Sequence, residues 1–290
     1  MKRAAVVIAV LGLCPWGFGQ GNDKPAAQNP PAGQAAQPAG QTATPPGKHK
    51  PAAKTEPEWK AYQAAVVLTD PAALEKAADD FATKFPESEL RIPLYTVAME
   101  HYQQANNADK MAEMAKKVLA IDADDPAALV GVAQPLAERT RDTDLDKDQR
   151  YAEGKKDAER ALVTVDTDVP TSGYPPEQVE GFKNFLRSEA YFALGTMAFK
   201  ANDWKEAEVN LRKSIDVLPQ QPDPVAVFRL AVALDMQDKL PEAMKYADQA
   251  VDLTKDRPDS GVGKAARAEK DRLVQRTGGT TPGQPAPPKN

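Results

Sequence analysis

The sequence predicts an all-α protein, an α-solenoid of antiparallel helix pairs between two arms. Between Pro57 and Thr277, apolar residues mostly recur at spacings of three and four, the helical period, and alternating β-branched stretches are nearly absent. The segment Ala193–Pro219 contains two such helical patterns joined by a very short turn, and related segments recur along the chain. Because a single helix pair cannot bury its own apolar face, recurring pairs are expected to stack on one another.

The first 19 residues predict a secretory signal peptide. A basic start with Lys2 and Arg3 precedes an apolar run of eleven residues and then a stretch of small residues. Such a run is too short to remain as a membrane span, and cleavage is expected after Gly19. Cys14 is the one cysteine of the chain, but Leu13 stands where a lipidation signal has a small residue. The expected location is therefore periplasmic or secreted, and lipid anchoring at Cys14 is the disfavoured alternative.

Two arms that flank the helical region are predicted to be disordered. Positions 20–56 contain no Val, Ile, Leu, Met, Phe, Tyr or Trp, so this linker has no large apolar surface to bury in exchange for the entropy lost on ordering. The Pro-rich tail, 278–290, has a similar composition. The chain is acidic, with a formal net charge of −5, and it has no basic block. This charge argues against nucleic acid and anionic membranes as partners.

The helix pair at 188–221 shows the recurring pattern most clearly. Small residues at Gly195 and Ala207 would allow two antiparallel helices to approach closely, and Trp204 would fill the turn between them. Pro219 is expected to end the second helix because it has no backbone N–H to donate. The full signature is Tyr191, Leu194, Gly195, Trp204, Ala207, Leu211, Ile215 and Pro219. This pattern resembles the tetratricopeptide repeat, a helix pair of 34 residues with the same landmarks.

Other segments follow the same pattern less regularly. The next pair, 224–257, is expected to use Leu230, Ala243 and Ala250 at the signature positions. Pairs are also predicted at 92–125 and, in degenerate form, at 57–91. In the pair 126–169, an insertion is expected to delay the second helix to around Tyr151–Leu162. A polar helix at 260–276 is predicted to cover the last apolar face.

The resemblance implies a right-handed superhelix whose concave groove is lined by the first helix of each pair. It also implies a non-catalytic role in protein–protein interaction or scaffolding, here in the bacterial cell envelope, with a protein or peptide partner in the groove. In the N-terminal half the groove positions are polar: Thr96, Glu100, Gln103 and Gln104. In the C-terminal half they are Phe192, Thr196, Phe199, Lys200, Val225, Phe228, Val232 and Met236. The alternative is that Phe192, Phe199 and Phe228 belong to the core.

An acidic segment within the insertion suggests a second possibility, a calcium-dependent binding module. Acidic residues at Asp142, Asp144, Asp146, Asp148 and Glu153 have the spacing of ligands in an EF-hand calcium loop. However, Lys147 occupies the position at which such loops need glycine for a sharp turn. A solvated acidic loop without metal is the favoured interpretation.

No pattern in the sequence predicts a catalytic centre. The two histidines, His49 and His101, are far apart in the sequence, and neither has a nearby Ser or Cys to activate. We therefore expect no catalytic residues, no cofactor and no small-molecule substrate, with an enzyme of unrecognised site as the least favoured alternative.

Overall fold

The computed structural model describes residues 48–278, and within this range the chain forms eleven α-helices and no β-strand. The predicted signal peptide, most of the linker and nearly all of the tail lie outside the described residues. The all-α class is confirmed. The helices are α1 (Glu56–Val66), α2 (Pro71–Lys84), α3 (Arg91–Gln104), α4 (Ala108–Leu119), α5 (Pro126–Arg139), α6 (Lys147–Thr164), α7 (Pro176–Lys200), α8 (Trp204–Val217), α9 (Pro224–Asp235), α10 (Leu240–Leu253) and α11 (Gly261–Arg276).

The helices form five consecutive pairs and a final single helix, arranged as an α-solenoid. Each helix packs on the next one in the chain, and each odd-numbered helix also packs on the next odd-numbered helix, from α1–α3 to α9–α11. Among the described helices, the even-numbered ones make no comparable contacts with one another. The odd-numbered helices therefore lie closer to one another than the even-numbered helices do, and they form the inner layer of the solenoid.

Three of the turns within pairs share one backbone conformation. Asn106, Asn202 and Asp238 have positive φ angles of 57°, 58° and 57°, in the left-handed region that Asn and Asp tolerate better than most residues. In each turn the next residue donates its backbone N–H to the carbonyl five residues earlier, for example Asp203 to Ala198 at 2.9 Å. This bond satisfies a carbonyl at the end of the inner helix while the chain reverses.

Helix starts follow from local sequence. Asp70, Asp125, Asp203 and Asp223 each accept a hydrogen bond from backbone N–H groups of the first turn, at 2.7–3.1 Å. Such N-caps stabilise a helix by about 1 kcal/mol. Proline occupies the first turn of α2, α5 and α9, where its missing N–H costs nothing.

The signature residues of the 188–221 pair lie at the contact between α7 and α8. A Cβ atom added to Gly195 would lie 2.7 Å from Leu211 Cγ, so only glycine fits there. Trp204 begins α8 and packs edge-on against Phe199, with ring centroids 5.5 Å apart. Of the other members of this pair, Leu194 and Ala207 are buried, Tyr191 is half-buried, and Pro219 follows the end of α8. In the next pair, the corresponding residues Leu230, Ala243 and Ala250 are also buried.

Two segments differ from the sequence-based expectation. Helix α6 begins at Lys147 rather than around Tyr151, because the last three residues of the predicted insertion, 147–149, are helical. Residues 48–54, the end of the predicted disordered linker, run along the edge of the solenoid and contact its loops. None of the helices between residues 48 and 278 combines the length and the apolar character needed to cross a membrane.

Candidate protein-binding surface

The middle of the predicted groove is closed. Phe192 is 1% exposed and Thr196 is 0% exposed, although both lie on the inner side of α7. The expectation that these two residues line an open groove is therefore wrong, and for Phe192 the alternative of a core position holds. Phe199, Lys200, Phe228 and Val232 are half-buried, and Met236 is exposed.

An ion pair across the inner face explains this closure. Arg229 of α9 reaches over α7 to α5, where its guanidinium lies 2.7 Å from the carboxylate of Glu138. The same nitrogen donates a hydrogen bond of 2.7 Å to Thr196 Oγ1. The guanidinium also stacks over Phe192, 5.3 Å from the ring centroid. Side chains of α5 and α9, which belong to different helix pairs, therefore meet over α7, the helix between them.

Lys200 has a structural role at the same place. Its ammonium donates hydrogen bonds to the backbone carbonyls of Glu138 at 2.6 Å and Thr140 at 3.0 Å, at the end of α5. A cation at this position satisfies terminal carbonyls and opposes the negative end of the helix dipole. Burial lowers the pKa of Lys200, while the charge of Glu138 acts in the opposite direction. We conclude that Lys200 links α7 to α5 and is not free to bind a partner.

The accessible apolar part of the inner surface lies on α9. We call it the C-terminal inner patch and define it by Val225, Phe228, Val232 and Met236, which follow one another at helical spacing. The first three are half-buried, and Val225 and Phe228 pack partly on the C-terminal core, whereas Met236 is 48% exposed. The patch adjoins the clamp that holds α11, in which Arg272 and Arg276 bind Asp235. It thus presents apolar side chains next to fixed charges.

The polar residues of α3 that were predicted for the N-terminal half of the groove are half-buried or exposed. Thr96 Oγ1 is engaged within α3 by donation to the Ile92 carbonyl at 3.0 Å. Gln103 is half-buried and Gln104 is exposed. Burial raises the pKa of Glu100 to about 8. Next to it, His101 Nδ1 is buried without a hydrogen-bond partner among the described residues.

The candidate calcium ligands do not form a loop around a common centre. Asp148 and Glu153 lie within α6, because this helix begins at Lys147. Asp142 pairs with Lys147 at 2.9 Å, and Asp146 pairs with Arg150 at 2.8 Å. Asp144 accepts a hydrogen bond of 2.9 Å from the backbone N–H of Arg141. Within residues 48–278, no three or more metal-ligating side chains come together.

A feature that the sequence reasoning missed lies on the outer face. A shallow groove between the end of α4 and α6 is lined by the apolar side chains of Leu119, Leu129 and Val163. Charged side chains, including Lys156 and Asp157, also line it. Its apolar residues come from three helices in two pairs, so no single repeat carries a signal for it.

Comparisons with known proteins do not assign this chain to a family. No protein family model matches the chain, and no curated protein matches it. Among solved structures, the chain is similar to one described as an assembly chaperone of RpL4 (Acl4), residues 1–338. The two are 13% identical, with a TM-score of 0.37, over 76% of this chain and 96% of that one.

Proposed function

We propose that this protein is a non-catalytic binding module or scaffold of the bacterial cell envelope, and that it holds a segment of a partner protein on the C-terminal inner patch. The helix pairs are tetratricopeptide-like repeats in this proposal, and the predicted signal peptide directs the chain to the periplasm or the exterior. The exposure of Met236 beside Phe228 and Val232 carries the proposal, because apolar side chains on an inner curve are a favourable site for a partner segment.

The chemistry of the patch indicates what the partner must offer. Val225, Phe228, Val232 and Met236 form one stripe along α9, which favours a helix or an extended segment with apolar side chains at matching intervals. Methionine is unbranched and polarisable, so Met236 can adapt to side chains of different shape. The Arg229–Glu138 ion pair limits the site on the α5 side, which restricts the partner to the C-terminal end of the inner surface.

The test compares two substitutions of the same kind. Met236→Asp places a charge in the patch, and Val209→Asp places one on the outer helix α8, where Val209 is 50% exposed, close to the 48% of Met236. The mature chain and both variants, tagged, are used to capture partners from envelope extract, and the captured proteins are quantified by mass spectrometry.

We expect a specific partner to be captured by the wild type and by Val209→Asp, and to be lost with Met236→Asp while helicity and melting temperature are retained. A partner captured equally by all three proteins would refute the inner patch as the binding site. Phe228→Asp, which lies deeper in the patch, provides a second variant with the same expected loss.

A further inference from the structure

Residues 48–54, which we call the strap, are an extended segment that precedes α1. The strap follows the edge of the solenoid at which one helix pair connects to the next. Lys54 Nζ donates to the Glu87 carbonyl at 3.0 Å in the α2–α3 connection, and His49 lies 3.0 Å from the Glu89 carboxylate of the same connection. At its other end the strap reaches the α4–α5 and α6–α7 connections through Lys48. It therefore spans three successive connections.

Lys48 is the counter-ion of an acidic cluster made by two of these connections. Its ammonium lies 2.5 Å from Asp122 Oδ2 in the α4–α5 connection and 2.7 Å from Asp168 Oδ1 in the α6–α7 connection. Burial alone would lower the pKa of Lys48, but the hydrogen bonds and charges of the two aspartates outweigh it and raise the pKa. Removal of this ammonium would take away the cation that Asp122 and Asp168 share.

The backbone and neighbouring side chains of the strap strengthen this attachment. The Lys48 carbonyl accepts a hydrogen bond of 3.2 Å from the Thr171 N–H, and the Lys50 N–H donates to Ser172 Oγ at 3.3 Å. The Lys50 ammonium lies over the Tyr174 ring, 5.1 Å from its centroid. These contacts connect the segment that leads into α1 with the segment that leads into α7, across 122 positions of sequence for the pair Lys50 and Ser172.

We propose that the strap is an ionic clasp that holds the first helix pair against the α6–α7 connection and thereby fixes the curvature of the N-terminal half of the solenoid. In an ordinary repeat array each unit contacts only its neighbours, so small rotations accumulate along the array. The strap adds a direct link between the first pair and the start of the fourth. Lys48 is the main attachment of the strap, because its side chain alone pairs with two connections, α4–α5 and α6–α7.

The experiment measures the distance between the two clasped parts in the full chain. Cys14 is the only cysteine, so Cys14→Ser with Gln63→Cys in α1 and Gln178→Cys in α7 permits two spin labels at exposed positions. Pulsed electron paramagnetic resonance then gives the distance distribution for this parent and for Lys48→Ala. Lys60→Ala, which removes an exposed lysine of α1 that pairs with Glu56 at 3.2 Å, is the matched control, and Lys48→Arg keeps the charge.

We expect a narrow distribution in the parent, in Lys60→Ala and in Lys48→Arg, and a distribution about twofold broader in Lys48→Ala. Hydrogen exchange should also become about five- to tenfold faster at residues 168–174 in Lys48→Ala, with exchange in α9–α11 unchanged. An unchanged distance distribution together with unchanged exchange in Lys48→Ala would overturn the clasp. Broadening in Lys60→Ala as well would also overturn it, because the effect would then not depend on Lys48.

Discussion

Replacing Gly195 with alanine tests the packing of the solenoid at the point where it is tightest. A Cβ atom at this position would lie 2.7 Å from Leu211 Cγ, 2.9 Å from Leu211 Cδ2 and 3.1 Å from the Leu211 backbone nitrogen. Since the backbone nitrogen belongs to α8, the helix itself must shift to relieve the contact. Overpacking of this kind costs about 1–3 kcal/mol, while alanine gains about 1 kcal/mol over glycine in helix propensity. Because this contact involves helix backbone, we take the upper part of that range, about 2–3 kcal/mol, and expect Gly195→Ala to destabilise the fold by about 1–2 kcal/mol net.

The same helix supplies the matched control. Gly181 also lies in α7, but a Cβ atom there would meet nothing within 4 Å. Gly181→Ala should therefore stabilise the protein by about 0.5–1 kcal/mol through helix propensity alone. The same substitution in the same helix is therefore expected to lower stability at Gly195 and to raise it at Gly181. The difference depends only on the space beside each glycine.

Thermal and urea unfolding, followed by circular dichroism, measure both effects. For a folded region of this size, 1 kcal/mol corresponds to about 2–4 °C in melting temperature. If Gly195→Ala were as stable as the wild type while Gly181→Ala gained stability, the argument from the α7–α8 contact would be refuted. In a double-mutant cycle, Leu211→Ala should remove part of the penalty of Gly195→Ala, because the clashing side-chain atoms are then absent while the close backbone nitrogen remains.

Three further predictions concern acidic side chains. Burial raises the pKa of Glu100 to about 8 from 4.5, so the folded state retains a proton that the unfolded state has lost, and this group reduces stability increasingly as the pH rises from about 4.5 to 8. The difference in unfolding free energy between Glu100→Gln and the wild type should therefore be smallest near pH 4 and grow by up to about 5 kcal/mol above pH 8 in favour of the variant. An equal difference at both pH values would contradict this reasoning. Replacement of Asp235 by alanine should cost about 1–3 kcal/mol and accelerate hydrogen exchange in α11, because this side chain is 0% exposed and binds two arginines of α11. Asp238→Asn is the control and should have little effect, because the side chain is 81% exposed and asparagine tolerates the positive φ angle of this position. Millimolar calcium should leave the melting temperature unchanged, and a rise that Asp144→Ala abolishes would show that the acidic segment binds the ion after all.

Much of the fold could be predicted from the sequence because its determinants are local. Helical spacing of apolar residues, an Asp before Pro126 and Pro224, and short polar turns such as Asn202 with Asp203 act within a few residues. The start of α6 was harder to predict, because its first turn is polar and indistinguishable in composition from a loop.

The state of the groove could not be predicted because it depends on the relative positions of distant helices. Phe192 and Thr196 occupy positions that face the inner surface in a single repeat, but Arg229 and Glu138, 91 positions apart, close over them. Their meeting depends on how far each pair rotates on the previous one, a quantity that no single repeat encodes. The strap was missed for a related reason. It contains no large apolar residue, and its attachment through Lys48 is electrostatic.

The ion pair between Arg229 and Glu138 also affects how this solenoid should respond to tension. When each repeat contacts only its neighbours, pulling lengthens the array gradually, because every contact between repeats gives way slightly. Here an ion pair joins α5 directly to α9. The part of the solenoid from α5 to α9 should therefore resist elongation until this ion pair breaks and then lengthen in one step. Pulling on the two ends of the molecule should therefore reveal a stiff section within a compliant one.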